Sequence, residues 1–205
     1  MPSELHEERL DSVTRHLLDA GAASVLDLGC GGGELLLRLA RQARFTRIVG
    51  IDIDEAALAE ARRSLEFGRD GPNERVQVLL GSFEREDPRL RGFDAATLVE
   101  TIEHIDPRRL SLVERAVFGC YAPGTVLITT PNQEYNVLHG MAAGAMRHPD
   151  HRFEWTRGKF RGWAAGVARR HRYVVRFIDI GPPDPTLGSS TQMARFTREP
   201  ASGGA

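Results

Sequence analysis

Hydrophobic and polar positions follow two alternating periods along most of this chain. Apolar residues spaced three and four apart predict an amphipathic helix over residues 4–20, ending near Gly21. A short apolar run from Ser24 to Leu28 reads as a buried strand that stops at a glycine-rich turn. The exchange repeats with a helix over Glu34–Arg44, a strand over Arg47–Ile51 and a helix over Asp54–Phe67, N-capped by Asp54. Arg75–Leu80 and Phe93–Val99 are further strands. Pro107–Tyr121 reads as a helix with proline in its first turn, and Thr125–Thr130 as a β-branched strand closed by Pro131. Residues 131–152 break the rhythm and read as an irregular insertion. A helix from Thr156 to about Arg170 follows, then strands near Tyr173–Ile180 and Thr191–Thr197. Strands alternating with helices predict an α/β fold, with a mostly parallel sheet covered on both faces.

The 205 residues are 41% hydrophobic and 27% charged, ordinary for a globular protein and enough for one domain over 1–198 with a flexible tail at 199–205. No apolar run approaches the length of a membrane span, and the start, MPSELHEERL, is too charged for a signal peptide. Cys30 and Cys120 stand apart from any metal-type pair, which argues against a disulfide framework and for a reducing cytoplasm. The net charge of −1 hides an asymmetry. Residues 1–106 hold 13 Arg and 21 acidic residues, a net −8, whereas residues 107–205 hold 14 basic and 7 acidic residues, a net +7. A basic half can attract a polyanion, and Arg suits phosphate through its bidentate fork. Lys159 is the only lysine, so composition alone also accounts for part of the Arg excess.

The segment VLDLGCGGGELL, residues 25–36, runs from a strand through glycines into a helix. Missing Cβ atoms let such a turn approach a ligand, and in a doubly wound sheet this is where a nucleotide-like ligand sits. A dinucleotide fingerprint would need a third glycine where Glu34 stands. Asp27, just before the glycines, suits a cationic ligand better than a pyrophosphate. The segment resembles the first motif of class I, Rossmann-like methyltransferases, in which the acidic residue and the glycines, here Asp27, Gly29 and Gly31, embrace the methionine part of S-adenosylmethionine. Asp52, at the end of the next strand in IVGIDID, is placed to accept both ribose hydroxyls. Ser82 in LLGSFE is a candidate adenine neighbour.

LVETIEHID follows the fourth strand, and Glu100, Glu103 and His104 fall at i, i+3 and i+4, one face of a helical turn. Two carboxylates and an imidazole converging on one spot suit a divalent cation, although in isolation such a triplet is commonly a solvated charged face. Its position after the strand FDAATLV, where this fold places a methyl acceptor, favours the cation.

Together with TPNQEYN at 130–136, DHRFEWTR at 150–157 and STQMARF at 190–196, the cluster resembles the small-RNA 2′-O-methyltransferase family, over roughly residues 5–198. The resemblance implies a class I methyltransferase sheet with an antiparallel C-terminal strand. It also implies metal ligands at Glu100, Glu103, His104 and His151, with His148 as the alternative to His151, and Asn132 as a contact to the acceptor nucleotide. The implied reaction is methylation of the 2′-hydroxyl of the 3′-terminal nucleotide of RNA, protecting that end in repair or small-RNA stabilisation. A mixed nitrogen and oxygen donor set points to manganese first and magnesium second. Phe153 and Trp155 are candidates to stack on a base, and Arg157, Lys159, Arg161, Arg169, Arg170 and Arg172 to hold phosphates. The expected partner is an RNA 3′ end, with a monomeric chain. Bacterial relatives in that family also work with an RNA kinase–ligase through a further N-terminal domain, which this chain is expected to lack. A methyltransferase for a small-molecule acceptor and an RNA-binding module without catalysis are the competing readings.

Overall fold

A computed structural model of the chain describes residues 4–67, 75–142 and 144–200. In chain order the elements are α1 (Glu4–Asp19), β1 (Ser24–Leu28), α2 (Glu34–Ala40), β2 (Arg47–Asp52), α3 (Glu55–Phe67), β3 (Val76–Leu80), β4 (Ala95–Val99), α4 (Leu110–Glu114), β5 (Thr125–Pro131), α5 (Arg157–His171), β6 (Tyr173–Ile180) and β7 (Thr191–Arg198). The strands form one sheet in the order β3-β2-β1-β4-β5-β7-β6, in which β7 runs antiparallel to both its neighbours and the other pairings are parallel. The mostly parallel sheet with an antiparallel C-terminal strand is the architecture the alternating pattern and the family resemblance had implied.

Successive strand residues point to opposite faces, and both faces are buried, so each strand feeds two cores. Val25, Ile48, Ala95, Leu127 and Met193 pack with Leu10, Val13 and Leu17 of α1 and Leu36 and Leu39 of α2. Their chain neighbours Leu26, Val49, Ala96, Val126 and Ala194 pack on the other side with Val113 of α4 and Phe160, Ala164 and Val167 of α5. Local capping agrees with the sequence. Asp54 Oδ1 accepts from Ala56 N at 2.8 Å, and Thr156 Oγ1 accepts from Lys159 N at 3.3 Å at the start of α5.

Two helices differ from expectation. α2 stops at Ala40 because Phe45 turns back into the core, fully buried, and the intervening residues must leave the helix axis. The helix expected over Pro107–Tyr121 is a 3-10 turn, a short α-helix and then wider π turns over Arg115–Tyr121, which bring Ala116, Val117, Phe118 and Tyr121 all inward. The ends of β1, β2, β3, β4 and β5 open onto one edge of the sheet, where Asp52 closes β2 and Gly29, Ser82, Glu100 and Asn132 follow the other strands. No helix among the described residues is long and apolar enough to cross a membrane. The expected tail at 199–205 lies outside the described residues from 201 onward.

Candidate active site

A cleft of about 1120 Å³ runs along that edge, with Gly29, Asp52, Ile53, Ser82 and Phe83 at one end and Glu100, His104 and Arg152 at the other. The glycine turn after β1 holds its shape through backbone bonds from Gly29 N and Cys30 N to Ile51 O, 2.8 and 3.1 Å. Gly29, Gly31 and Gly33 take φ of 83°, 50° and 82°, where a side chain is strained. Asp52 bridges the turn, its Oδ2 accepting from Gly31 N at 2.8 Å and its Oδ1 from Asp54 N at 3.0 Å. Asp27 is buried beneath, accepting from Thr97 Oγ1 at 2.8 Å. Desolvation pushes its carboxyl up to about 7; the Thr97 bond opposes the rise and the charge of Asp52 adds to it.

At the other end, β4 stops at Val99 and Glu100 turns the chain with φ of 50°, a conformation uncommon for a side-chain-bearing residue. Its N–H donates to Thr129 Oγ1 at 3.0 Å, and that hydroxyl donates to Glu100 Oε1 at 3.0 Å. Arg9 reaches over from α1 to pair with Glu100 Oε2 at 3.2 Å and donates to Thr191 Oγ1 at 3.1 Å. Ile102–His104 then form a single 3-10 turn, so the expected shared helical face is replaced by a strand end and a tight turn. That turn buries Glu103 completely. Thr130 Oγ1 donates to Glu103 Oε2 at 3.0 Å, and Glu103 Oε1 has no hydrogen-bond partner among the described residues. Burial, then the neighbouring Glu100 charge, hold the Glu103 carboxyl well above its ordinary range.

The insertion brings the second histidine. Arg152 N donates to Glu103 O at 2.7 Å, which sets His151 against the 3-10 turn. One donor atom each from Glu103, His104 and His151 lie within 4.8 Å of one another. Partial burial, then the charges of His151 and His148, keep His104 below its ordinary range. His148 is exposed and its ring lies 6.0 Å from that of His104, against 4.8 Å for His151.

A family model described as a methyltransferase domain matches residues 26–127. The small RNA 2′-O-methyltransferase of Xenopus tropicalis is 35% identical over 203 residues, covering 95% of this chain and 55% of that protein. The crystal structure of the methyltransferase domain of bacterial CtHen1-CN is 40% identical with a TM-score of 0.86, over 95% of this chain and 100% of that one. The chain belongs to the small RNA 2′-O-methyltransferase family. The structure of small RNA methyltransferase HEN1 also superposes, with a TM-score of 0.87 and 30% identity over 95% of this chain and 26% of that one. The chain spans about half the length of the vertebrate small RNA 2′-O-methyltransferases it matches.

Within this member of the small RNA 2′-O-methyltransferase family, several residues expected at the substrate are bonded or packed within the protein. Asn132 is fully buried, donating from Nδ2 to Leu187 O and Ser189 O at 2.8 and 2.9 Å and accepting from Glu134 N at 3.0 Å. Arg157 pairs with Glu134 and donates to Thr186 O at 2.6 Å. Phe153 and Trp155 stack on each other at 4.3 Å inside the core, so neither presents a face to a base. No residue of α5 lines the cleft among the described residues; Arg161 packs over Phe177 and Arg170 pairs with Glu114. Sequence reasoning missed Arg9, Thr129 and Thr130, which hold Glu100 and Glu103, and Glu154, whose Oε1 lies 2.7 Å from His151 Nδ1. It also missed Ile53, which leaves 73% of its surface exposed at the cofactor end of the cleft.

Proposed function

We propose that this chain uses S-adenosylmethionine and a divalent cation, manganese first and magnesium second, to methylate the 2′-hydroxyl of the 3′-terminal nucleotide of RNA. The observation that carries the reading is Glu103 Oε1, a buried carboxylate oxygen with no partner among the described residues, set against His104 and His151 at the acceptor end of the cleft. A buried carboxylate without a compensating donor is costly, and two histidine nitrogens beside it complete a donor set suited to a cation. Such a cation supplies Lewis-acid activation and orientation of a hydroxyl, and S-adenosylmethionine supplies the methyl group. Glu103, His104 and His151 would hold the cation, with Glu100 beside them as the fourth expected ligand once released from Arg9. Thr130 keeps Glu103 Oε2 occupied, which leaves Oε1 as the oxygen free to take a cation. The Gly29–Gly33 turn leaves room for close approach, and Asp27 places a negative charge beneath it.

The deciding experiment uses radiolabelled S-adenosylmethionine, Mn²⁺ and a short RNA, beside the same RNA ending in 2′-deoxy or 3′-deoxy ribose and a reaction with chelator. Label is expected only on the RNA with both hydroxyls and only without chelator. Transfer indifferent to metal and terminal sugar would overturn the mechanism, and bound cofactor with no transfer to RNA would turn the search to small-molecule acceptors.

Two further outcomes follow from the cleft. Because the Asp27 carboxyl is pushed up to about 7, a cationic ligand must expel its proton below that pH. The affinity for S-adenosylmethionine is therefore expected to weaken by up to about tenfold per pH unit below about 7 and to level off above it, with proton release visible by calorimetry in buffers of different ionisation enthalpy. Asp27→Asn should abolish that pH dependence, with its largest loss of affinity above about pH 7, where the wild-type carboxyl is charged.

Arg108 and Arg152 line the cleft beside His104, are exposed, and have no side-chain partner among the described residues. They are better placed for backbone phosphates than the α5 residues. Each Ala substitution is expected to raise KM with little change in kcat, and to reduce the slope of log affinity against log salt by about 0.7 on single-stranded RNA. An unchanged salt slope would remove them from the RNA path.

A further inference from the structure

Glu154 belongs to the DHRFEWTR motif, yet it does not line the cleft that holds Glu100 and His104. Its side chain is completely buried, and its Oε1 lies 2.7 Å from His151 Nδ1. The same oxygen accepts from Arg147 N at 2.6 Å, and Oε2 accepts from Asn136 Nδ2 at 2.6 Å. Both oxygens are therefore acceptors to donors that cannot reverse, and the His151 contact runs from Nδ1–H to Oε1. With Nδ1 committed to Glu154, Nε2 is the nitrogen that His151 has left to offer Glu103 and His104.

The carboxylate is itself braced. Arg147 Nε donates to Asn136 Oδ1 at 2.6 Å, and its Nη1 and Nη2 donate to Ser190 Oγ at 3.0 Å and Asn132 O at 2.8 Å. These bonds tie the irregular insertion to the end of β5 and the start of β7. A rigid ring orientation for His151 thus depends on a network anchored in the sheet.

We infer that Glu154 is a positioning residue, which fixes His151 with its proton on Nδ1 and aims Nε2 at Glu103 and His104, so that the strength of cation binding depends on a side chain outside the ligand set. The inference about affinity rests on the metal reading above; the inference about the ring does not. A carboxylate behind a histidine ligand fixes its tautomer and raises its basicity, and losing one typically weakens metal binding by about 10- to 100-fold.

The test uses the full chain labelled with ¹⁵N-histidine and free of metal. Two-bond ¹H–¹⁵N spectra report the tautomer, with His151 assigned by its loss in His151→Asn. The wild type is expected to carry the proton on Nδ1, and Glu154→Ala to shift toward the Nε2–H form. Mn²⁺ affinity, read from the paramagnetic resonance of the free ion, should fall by about 10- to 100-fold in Glu154→Ala and by less in Glu154→Gln, which keeps an acceptor. S-adenosylmethionine affinity, set at the other end of the cleft, should stay unchanged.

An unchanged tautomer in Glu154→Ala would overturn the inference. So would parallel losses of Mn²⁺ binding, cofactor binding and thermal stability, which would make Glu154 a staple of the insertion. If Glu154→Ala does not fold, Glu154→Gln decides, and a Gln variant equal to wild type in Mn²⁺ affinity would overturn it. A wild type that shows the Nδ1–H form but binds no Mn²⁺ would refute the metal reading while leaving the ring orientation standing.

Discussion

Replacing Glu103 by Gln is expected to lower kcat/KM for methyl transfer to RNA by on the order of 10²–10³ while making the metal-free protein more stable. Removing a cation's contribution to the transition state costs several kcal/mol, and each 1.4 kcal/mol is about a factor of ten in rate. The stability gain has a separate origin. Glu103 is fully buried with one oxygen unpartnered, and its carboxyl is held well above its ordinary range by burial and by Glu100. A neutral amide of the same size keeps the Thr130 contact and removes the desolvated charge. The folded carboxyl retains its proton to higher pH than the unfolded one. Metal-free wild type therefore loses stability as pH rises above the ordinary carboxylate range, and Glu103→Gln should lose less. Scanning calorimetry with chelator should show a higher Tm for the variant, roughly 2–4 °C per kcal/mol in a chain of this size. Added Mn²⁺ should then raise the wild type and leave the variant unmoved. A variant that stays active, or that is less stable than wild type in chelator, would contradict this account of the cluster.

The cofactor end of the cleft was legible from the sequence because its constraints are local. Gly29, Gly31 and Gly33 take positive φ that favours glycine, and Asp52 needs only to end the next strand to reach Gly31 N. The acceptor end was half legible. Glu103 and His104 are chain neighbours, but His151 arrives through an insertion with no hydrophobic period, and only the family motif pointed to it. The supports were hidden by their own ordinariness. Thr129 and Thr130 read as β-formers in β5, and Arg9 as one charge on a helix. Its place on the buried side of α1, one turn before Val13, was the signal available.

Asn132 and Arg157, expected at the acceptor nucleotide and at the phosphates, are bonded to loop backbone for a physical reason. The loop between β6 and β7 lacks strand partners for much of its backbone, so polar side chains reach over to it: Asn132 donates to Leu187 O and Ser189 O, and Arg157, at the start of α5, to Thr186 O. The same reasoning explains why Glu154, Asn136 and Arg147 are buried together: the segment that delivers His151 is held by side chains where a strand would be held by its neighbours.

Gly29→Ala is expected to damage both ends of the cleft at once. A Cβ at Gly29 would sit 2.5 Å from Thr101 Cγ2 and 2.9 Å from its Oγ1, and the residue has φ of 83°. The left-handed backbone costs an ordinary residue about 1–2 kcal/mol, and the overlap adds about 1–3 kcal/mol in a packed site. Thr101 lies between Glu100 and the turn carrying Glu103 and His104, and its hydroxyl donates to Val99 O at 3.0 Å. It cannot move without moving the acceptor end. S-adenosylmethionine and Mn²⁺ should both bind more weakly to Gly29→Ala, although the substitution lies in the cofactor turn. Thr101→Ala leaves only a Cβ, 3.3 Å from the added methyl, and so relieves most of the overlap but not the backbone strain. The double variant should recover Mn²⁺ binding more fully than stability, with a coupling of about 1–3 kcal/mol in a double-mutant cycle. Strict additivity would mean that the two turns do not press on each other, and that cofactor loop and acceptor turn are built independently.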